Sequence, residues 1–292
     1  MPIDLDLAVG ALLPEREFSW TAADVLLYHL AIGAGRPSAD EPLRHVYEGP
    51  DLAVIPSFAV VAPTFRDDAL PQLDLPGCDL DLGAVLHYDQ EVRLDAPIAL
   101  NGSGILRSRV VDVYDARGAA LIVREGRASD REGRPLWTVR DTIYVRGEVA
   151  GQGRQRPVGD VSAPGRPADQ LRLAVIEDTQ AMLYRLCGDR NPLHIDPVFA
   201  RAAGLDGPIL HGLCTYGIAL REAVDAVLGG DVSLVQSFGA RFAGVVYPGE
   251  VVRVSMWAAG QGYVVTADVV DERGSVIRPA LSRGRLSVRR AT

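Results

Sequence analysis

Gly188-Asp189-Arg190-Asn191-Pro192-Leu193-His194-Ile195-Asp196-Pro197 is the densest polar segment of the chain. The sequence before it, from about Thr179 to Cys187, predicts a helix capped by Asp178 and stopped by Gly188. Pro192 pushes Asn191 out of the helical region and stiffens the loop. Asp196-Pro197 then opens a short helix, with proline at its first position and Gly204 as its end. A longer helix is expected from about Gly212 to Leu228, ended by Gly229-Gly230. Strand-like runs follow at Ser233–Phe242, Glu250–Ala258, Tyr263–Val270 and Ser275–Val288, joined by tight turns. One long helix against an antiparallel sheet is an α+β layout.

The first half carries similar strands around Leu86–Leu94, Ser103–Tyr114, Ala119–Ala128 and Leu136–Val145. Its helix region, Val54 to Phe65, is broken by Pro56 and Pro63. The stretch from Gly147 to Asp169 is rich in Gly, Pro and Arg, has no apolar period and reads as a linker. The division is therefore residues 1–146, a linker at 147–169, and residues 170–292. The halves read as divergent copies. Leu27-Tyr28-His29-Leu30 matches Leu183-Tyr184-Arg185-Leu186, and Asp115-Ala116-Arg117-Gly118 is paired with the turn Asp271-Glu272-Arg273-Gly274.

Composition narrows the function. The chain has 292 residues, 48% hydrophobic and 23% charged, which excludes a disordered or collagen-like chain. Its net charge is −8 and all its basic residues are Arg, so nucleic acid is not expected as a partner. The absence of lysine rules out a lysine Schiff base and a P-loop. The three cysteines, Cys78, Cys187 and Cys214, have no paired spacing and point to a reducing compartment. No apolar run reaches the roughly 18 residues a membrane span needs, so no membrane partner is expected. The acidic start, Met1 to Asp6, lacks a signal-peptide n-region, and Arg290-Ala291-Thr292 is not a peroxisomal address. A cytoplasmic location is expected.

Asp189 and His194, facing one cavity from a rigid loop, can hold and deprotonate a water molecule. The same residues are also what a polar capping loop uses, and spacing alone leaves both readings open. Gly212 lies where the long helix begins. Its free N–H at the positive end of the dipole suits a developing oxyanion, or only a close-packed helix start. His211 precedes it, and Arg241 opens a strand-like block ending in Pro248-Gly249-Glu250. Cys187 and Cys214 read as small buried hydrophobes. His29, His45 and His87 sit in no motif.

Tyr184 to Pro197, with Asp-x-Asn-Pro-Leu-His at its centre, together with Pro208-Ile209-Leu210-His211-Gly212-Leu213-Cys214-Thr215-Tyr216-Gly217, resembles the MaoC-like or hydratase 2 family of (R)-specific enoyl-CoA hydratases. Pro56-Ser57-Phe58-Ala59-Val60 is similar to an N-terminal segment of its two-repeat members. The resemblance implies a double hot-dog fold, two antiparallel sheets each wrapped on a helix, with a degenerate N-terminal repeat that takes the acyl chain. It implies that Asp189 and His194 are catalytic, that Asn191 orders loop and water, and that the Gly212 N–H binds the thioester oxygen. His211 and Arg241 are expected to contact substrate.

The implied partner is an acyl-CoA thioester. No metal and no redox cofactor is expected. The resemblance alone points to a homodimer. Ala34-Gly35-Arg36-Pro37-Ser38-Ala39 in the first half has no matching Asp or His, so one active site per chain is expected. The alternatives are a dehydratase acting on a carrier-protein thioester, a hot-dog thioesterase and a non-catalytic acyl-CoA-binding subunit.

Overall fold

A computed structural model describes residues 3–35, 43–147, 154–157, 159 and 161–289. Part of the linker and residues 36–39 of the first-half comparison lie outside the described residues.

The N-terminal repeat comprises α1 (Leu5–Ala8), β1 (Arg16–Trp20), α2 (Ala22–Ala31), α3 (Phe58–Val61), β2 (Val85–Leu94), β3 (Gly102–Ala116), β4 (Ala119–Ser129) and β5 (Pro135–Arg146). The C-terminal repeat comprises β6 (Gln170–Val175), α4 (Gln180–Tyr184), α5 (Pro197–Ala202), α6 (Gly212–Val227), β7 (Val235–Phe242), β8 (Val251–Ala258), β9 (Gly262–Val270) and β10 (Val276–Val288). Side-chain caps set some of the helix starts, but α4 follows Thr179 without one, so Asp178 does not cap it as expected. Thr21 and Asp24 form a reciprocal capping box at α2, and the Asp196 side chain accepts from Val198 and Phe199 at α5.

The strands join in the order β1-β3-β4-β5-β2-β7-β10-β9-β8-β6, a single ten-stranded antiparallel sheet. Read inward from either end, the order is the same, which is the pattern of a duplicated unit. The two expected sheets are continuous because β2 pairs with β7, from Asp89↔Arg241 to Arg93↔Ser237. That pairing satisfies the backbone groups of two strands that would otherwise be free edges.

The topology corrects one internal match. Asp271–Gly274 joins β9 to β10, and its positional equivalent joins β4 to β5, which is Asp130-Arg131-Glu132-Gly133 and not Asp115–Gly118. The two turns share their hydrogen bonds. Asp130 Oδ1 accepts from the N–H groups of Glu132 and Arg134, and Asp271 Oδ1 from those of Arg273 and Ser275. Gly133 and Gly274 both take a positive φ. The Leu27-Tyr28 and Leu183-Tyr184 match agrees with the fold: both lie on the helix after the repeat's first strand, and their tyrosine rings meet at 6.2 Å.

The two central helices differ. α6 is buried on nearly every side from Cys214 to Val224, as a helix enclosed by its own sheet must be. Its first-repeat counterpart is the four-residue α3 followed by a 3-10 turn at Ala62–Thr64. Pro56 and Pro63 limit it as expected, since proline offers no N–H to continue the ladder. Strands β1 and β6 have no strong signal in the sequence because they are sheet edges. Only Phe18 and Trp20 of β1 and Ala174 of β6 are buried.

Candidate active site

The site begins where α4 stops. A 3-10 turn at Arg185–Cys187 follows the helix, and Gly188 turns the chain out at φ +107°. A Cβ on Gly188 would collide with the Thr64 carbonyl, so only glycine brings the two repeats this close here. Asp189 comes next. Its Oδ1 accepts the Asn191 N–H at 3.1 Å, and the Asn191 side chain accepts the Leu193 N–H at 3.0 Å. Pro192 holds Asn191 at ψ 123°, outside the helical region, and starts the 3-10 turn that carries His194.

His194 and His211 are buried, 7% and 1% exposed, and their rings stack at 3.7 Å between centroids. His194 Nδ1 lies 2.9 Å from the Ile209 carbonyl. A carbonyl only accepts, so Nδ1 carries the proton and Nε2 keeps its lone pair. His211 Nε2 lies 3.4 Å from the Asp189 carbonyl and is its donor by the same argument. Burial holds the His194 imidazolium below its ordinary range, with the Asp189 charge opposing. Burial, then the neighbouring His194, pushes His211 down to about 2. Both rings are neutral near pH 7. The Asp189 carboxylate and the His194 lone pair are thus two acceptors suited to hold one water between them.

One donor atom each from Asp189, His194 and His211 lies within 4.8 Å of the others, the spacing of a metal-ligand set. The stack argues against that use. Imidazole lone pairs lie in the ring planes, and planes 27° apart and face to face cannot both aim at one ion.

His211 occupies the N-cap position of α6 without a side-chain cap hydrogen bond, and Gly212 is the first residue of that helix. The first N–H groups of a helix have no intrahelical partner. A Cβ at Gly212 would lie 3.1 Å from the Phe242 ring, so glycine keeps this end open beneath Phe242.

Arg241 is not brought to this cluster. Along β7, Phe238, Ala240 and Phe242 share the face toward the core and α6, and alternation puts Arg241 on the other. Its guanidinium lies over the Tyr88 ring at 4.5 Å. Arg241 therefore faces away from the dyad, so a substrate contact there would fall on the part of the thioester remote from the reacting carbons.

The thiols agree with a packing role: Cys214 is fully buried, and burial pushes Cys187 up to about 12. His29 is structural, accepting from the Ile55 N–H at 3.0 Å and donating to the His45 carbonyl at 2.7 Å. Three contacts had no signal in the sequence. The Ile209 carbonyl and the Thr64 carbonyl are backbone groups that any residue supplies, and the Tyr184 ring meets His211 at 4.8 Å only through the fold.

Residues 18–147 match the MFE-2 hydratase 2 N-terminal domain, and residues 160–277 match the MaoC like domain. The chain is 46% identical over 267 residues to the enoyl-CoA hydratase ChsH3 of Mycobacterium tuberculosis, covering 91% of this chain and 93% of that one. It is 34% identical to the peroxisomal enoyl-CoA hydratase 2 of Arabidopsis thaliana, with 93% of each covered. Among solved structures it resembles a MaoC-like dehydratase from Phytophthora capsici, with a TM-score of 0.85 and 26% identity over 99% of this chain and 98% of that one.

Proposed function

Because the chain belongs to the MaoC-like hydratase 2 family, we propose that it is an (R)-specific 2-enoyl-CoA hydratase, a hydro-lyase whose catalytic residues are Asp189, His194, Asn191 and Gly212. The observation that carries the reading is the pairing of a carboxylate with a neutral imidazole whose Nδ1 proton is committed to the Ile209 carbonyl, beside the open start of α6.

The enoyl thioester oxygen accepts the Gly212 N–H. Asp189 and His194 hold a water between them. His194 Nε2 takes one water proton as the oxygen bonds to C3 of the acyl chain, and the C2=C3 π electrons move toward the thioester carbonyl. The resulting enolate oxygen is stabilised by Gly212. The proton on His194 then passes to C2 from the same face. Water is consumed, the double bond is lost and the dyad returns to its starting state. The reverse sequence is dehydration, so one site serves both directions. Asn191 holds the loop that aims Asp189.

Residues 1–146 form the repeat that takes the acyl chain in this reading, supported by the shortness of α3 beside the 16-residue α6. The three free cysteines support a reducing, cytoplasmic compartment. No helix among the described residues is long and apolar enough to cross a membrane. A homodimer belongs to the same proposal, with the exposed row Leu171, Leu173 and Val175 on edge strand β6 as the available surface; light scattering decides it.

The test is loss of enoyl-thioester absorbance with short and long trans-2-enoyl-CoA, with product chirality read by (R)- and (S)-specific dehydrogenases. The expected product is the (R)-alcohol, with His194→Ala or Asp189→Asn lowering kcat by about 100-fold or more. Full activity in either variant refutes the dyad.

A further inference from the structure

His211 meets Asp189 and His194 and adjoins Gly212, yet is 1% exposed. Its Nε2 donates to the Asp189 carbonyl, and one ring face lies on His194. Its other neighbour is the Tyr184 ring, tilted 45° at 4.8 Å. Its own backbone, at φ −58° and ψ 136°, leads directly into Gly212. A side chain walled in by Tyr184 and His194 has no surface left for a substrate. We propose that His211 is a positioning residue whose Nε2–H and ring face set the Asp189 carbonyl and the plane of His194 in one geometry beside the start of α6. This rests on the hydratase reading and reassigns His211 from substrate contact.

Neutrality is part of the role. A cation stacked at 3.7 Å would oppose every protonated state of His194, which must take up a proton in each turnover. The groups that face His211 are Asp189 and His194 from the loop, Tyr184 from α4, and Arg185 from the turn after it. Arg185 and His194 disfavour its protonation, and burial disfavours it most. Its Nδ1 is buried and makes no hydrogen bond among the described residues. An unpaired acceptor is tolerable there, whereas an N–H at that position would be a buried donor without a partner. The Nε2–H form is therefore the stable tautomer.

Two substitutions separate its contacts. His211→Phe keeps the ring face and loses the donor. His211→Gln keeps a donor and loses the face. Both are expected to lower kcat by about 10–100-fold with KM little changed, because the loss is of alignment and not of substrate binding. His211→Gln also admits water to His194, which raises the pKa of that group and moves the acid limb of the kcat/KM profile to higher pH. Histidine nitrogen NMR on the full-length chain gives a readout apart from turnover. His211 is expected to remain an Nε2–H imidazole and His194 an Nδ1–H imidazole near neutral pH, with His211 showing no titration where ordinary histidine titrates.

Unchanged kcat and an unchanged acid limb in both variants overturn the proposal. So does a raised KM at constant kcat, which would mark a substrate contact, and so does His211 titrating near about 6.5. If the wild-type chain turns over no enoyl thioester, the hydratase reading falls, and the NMR result alone decides the assignment of His211.

Discussion

Gly188→Ala tests how the two repeats hold the site. Gly188 sits at φ +107°, where an L side chain costs about 1–2 kcal/mol. The added Cβ would overlap the Thr64 carbonyl oxygen and lie 2.8 Å from its carbon and 3.3 Å from the Phe65 Cα. Carbon atoms prefer about 3.5–4.0 Å, so the backbone has to move by roughly 1 Å. The atoms in the way are main chain, which cannot rotate aside, and such overpacking costs about 1–3 kcal/mol more. The total of about 2–5 kcal/mol corresponds to a melting temperature lower by roughly 4–10 °C for a chain of this length. Gly204→Ala is the matched control, because Gly204 has φ +82° and nothing within 4 Å of the added Cβ. It should lose about 1–2 kcal/mol and roughly 2–4 °C. Scanning calorimetry of both variants and the wild type separates the clash from the φ cost. Equal melting temperatures for the two variants would refute the clash. Asp189 follows Gly188 directly, so hydration by Gly188→Ala should also fall, while Gly204→Ala keeps it.

Gly212→Ala places a Cβ 3.1 Å from Cδ1 and Cε1 of Phe242, close to the N–H assigned to the thioester oxygen. The kcat/KM for hydration should fall by about 100-fold, with partial recovery in Gly212→Ala/Phe242→Leu; a single variant of wild-type efficiency would remove Gly212 from the mechanism. Acid should destabilise the fold through its buried histidines. Burial pushes His29 down to about 3 and His211 to about 2, and unfolding returns both to about 6.5. The unfolded chain then binds more protons, so this stability is complete above about pH 6.5 and is lost as pH falls toward the folded values. The slope is about 1.4 kcal/mol per pH unit for each histidine, and equal urea midpoints at about pH 7.5 and about pH 5.5 would refute it.

Near-neighbour chemistry determined much of this protein. Strand-like runs bounded by turn residues located the long strands within a residue or two, because strand preference and turn chemistry are both local to the chain. Asp196-Pro197 and Gly188 marked a helix start and a helix stop through requirements on φ and on free N–H groups that are local to the chain. The loop from Asp189 to His194 was legible for the same reason: its donors, acceptors and proline lie within six consecutive residues.

Tertiary structure decided what distant residues do to one another. Edge strands β1 and β6 are strands because β3 and β8 lend them hydrogen bonds, not because of their own pattern. Two expected sheets became one through β2 and β7, a pairing that no local preference encodes. Arg241 is turned away from the Asp189–His194 cluster because one step along a strand exchanges the two faces of the sheet. His211, expected from the sequence to contact substrate, meets the Asp189 carbonyl across 22 positions of chain. Backbone preference and periodicity act between neighbours in sequence, whereas the plane of His194 and its tautomer depend on a ring and a carbonyl that only the folded packing supplies.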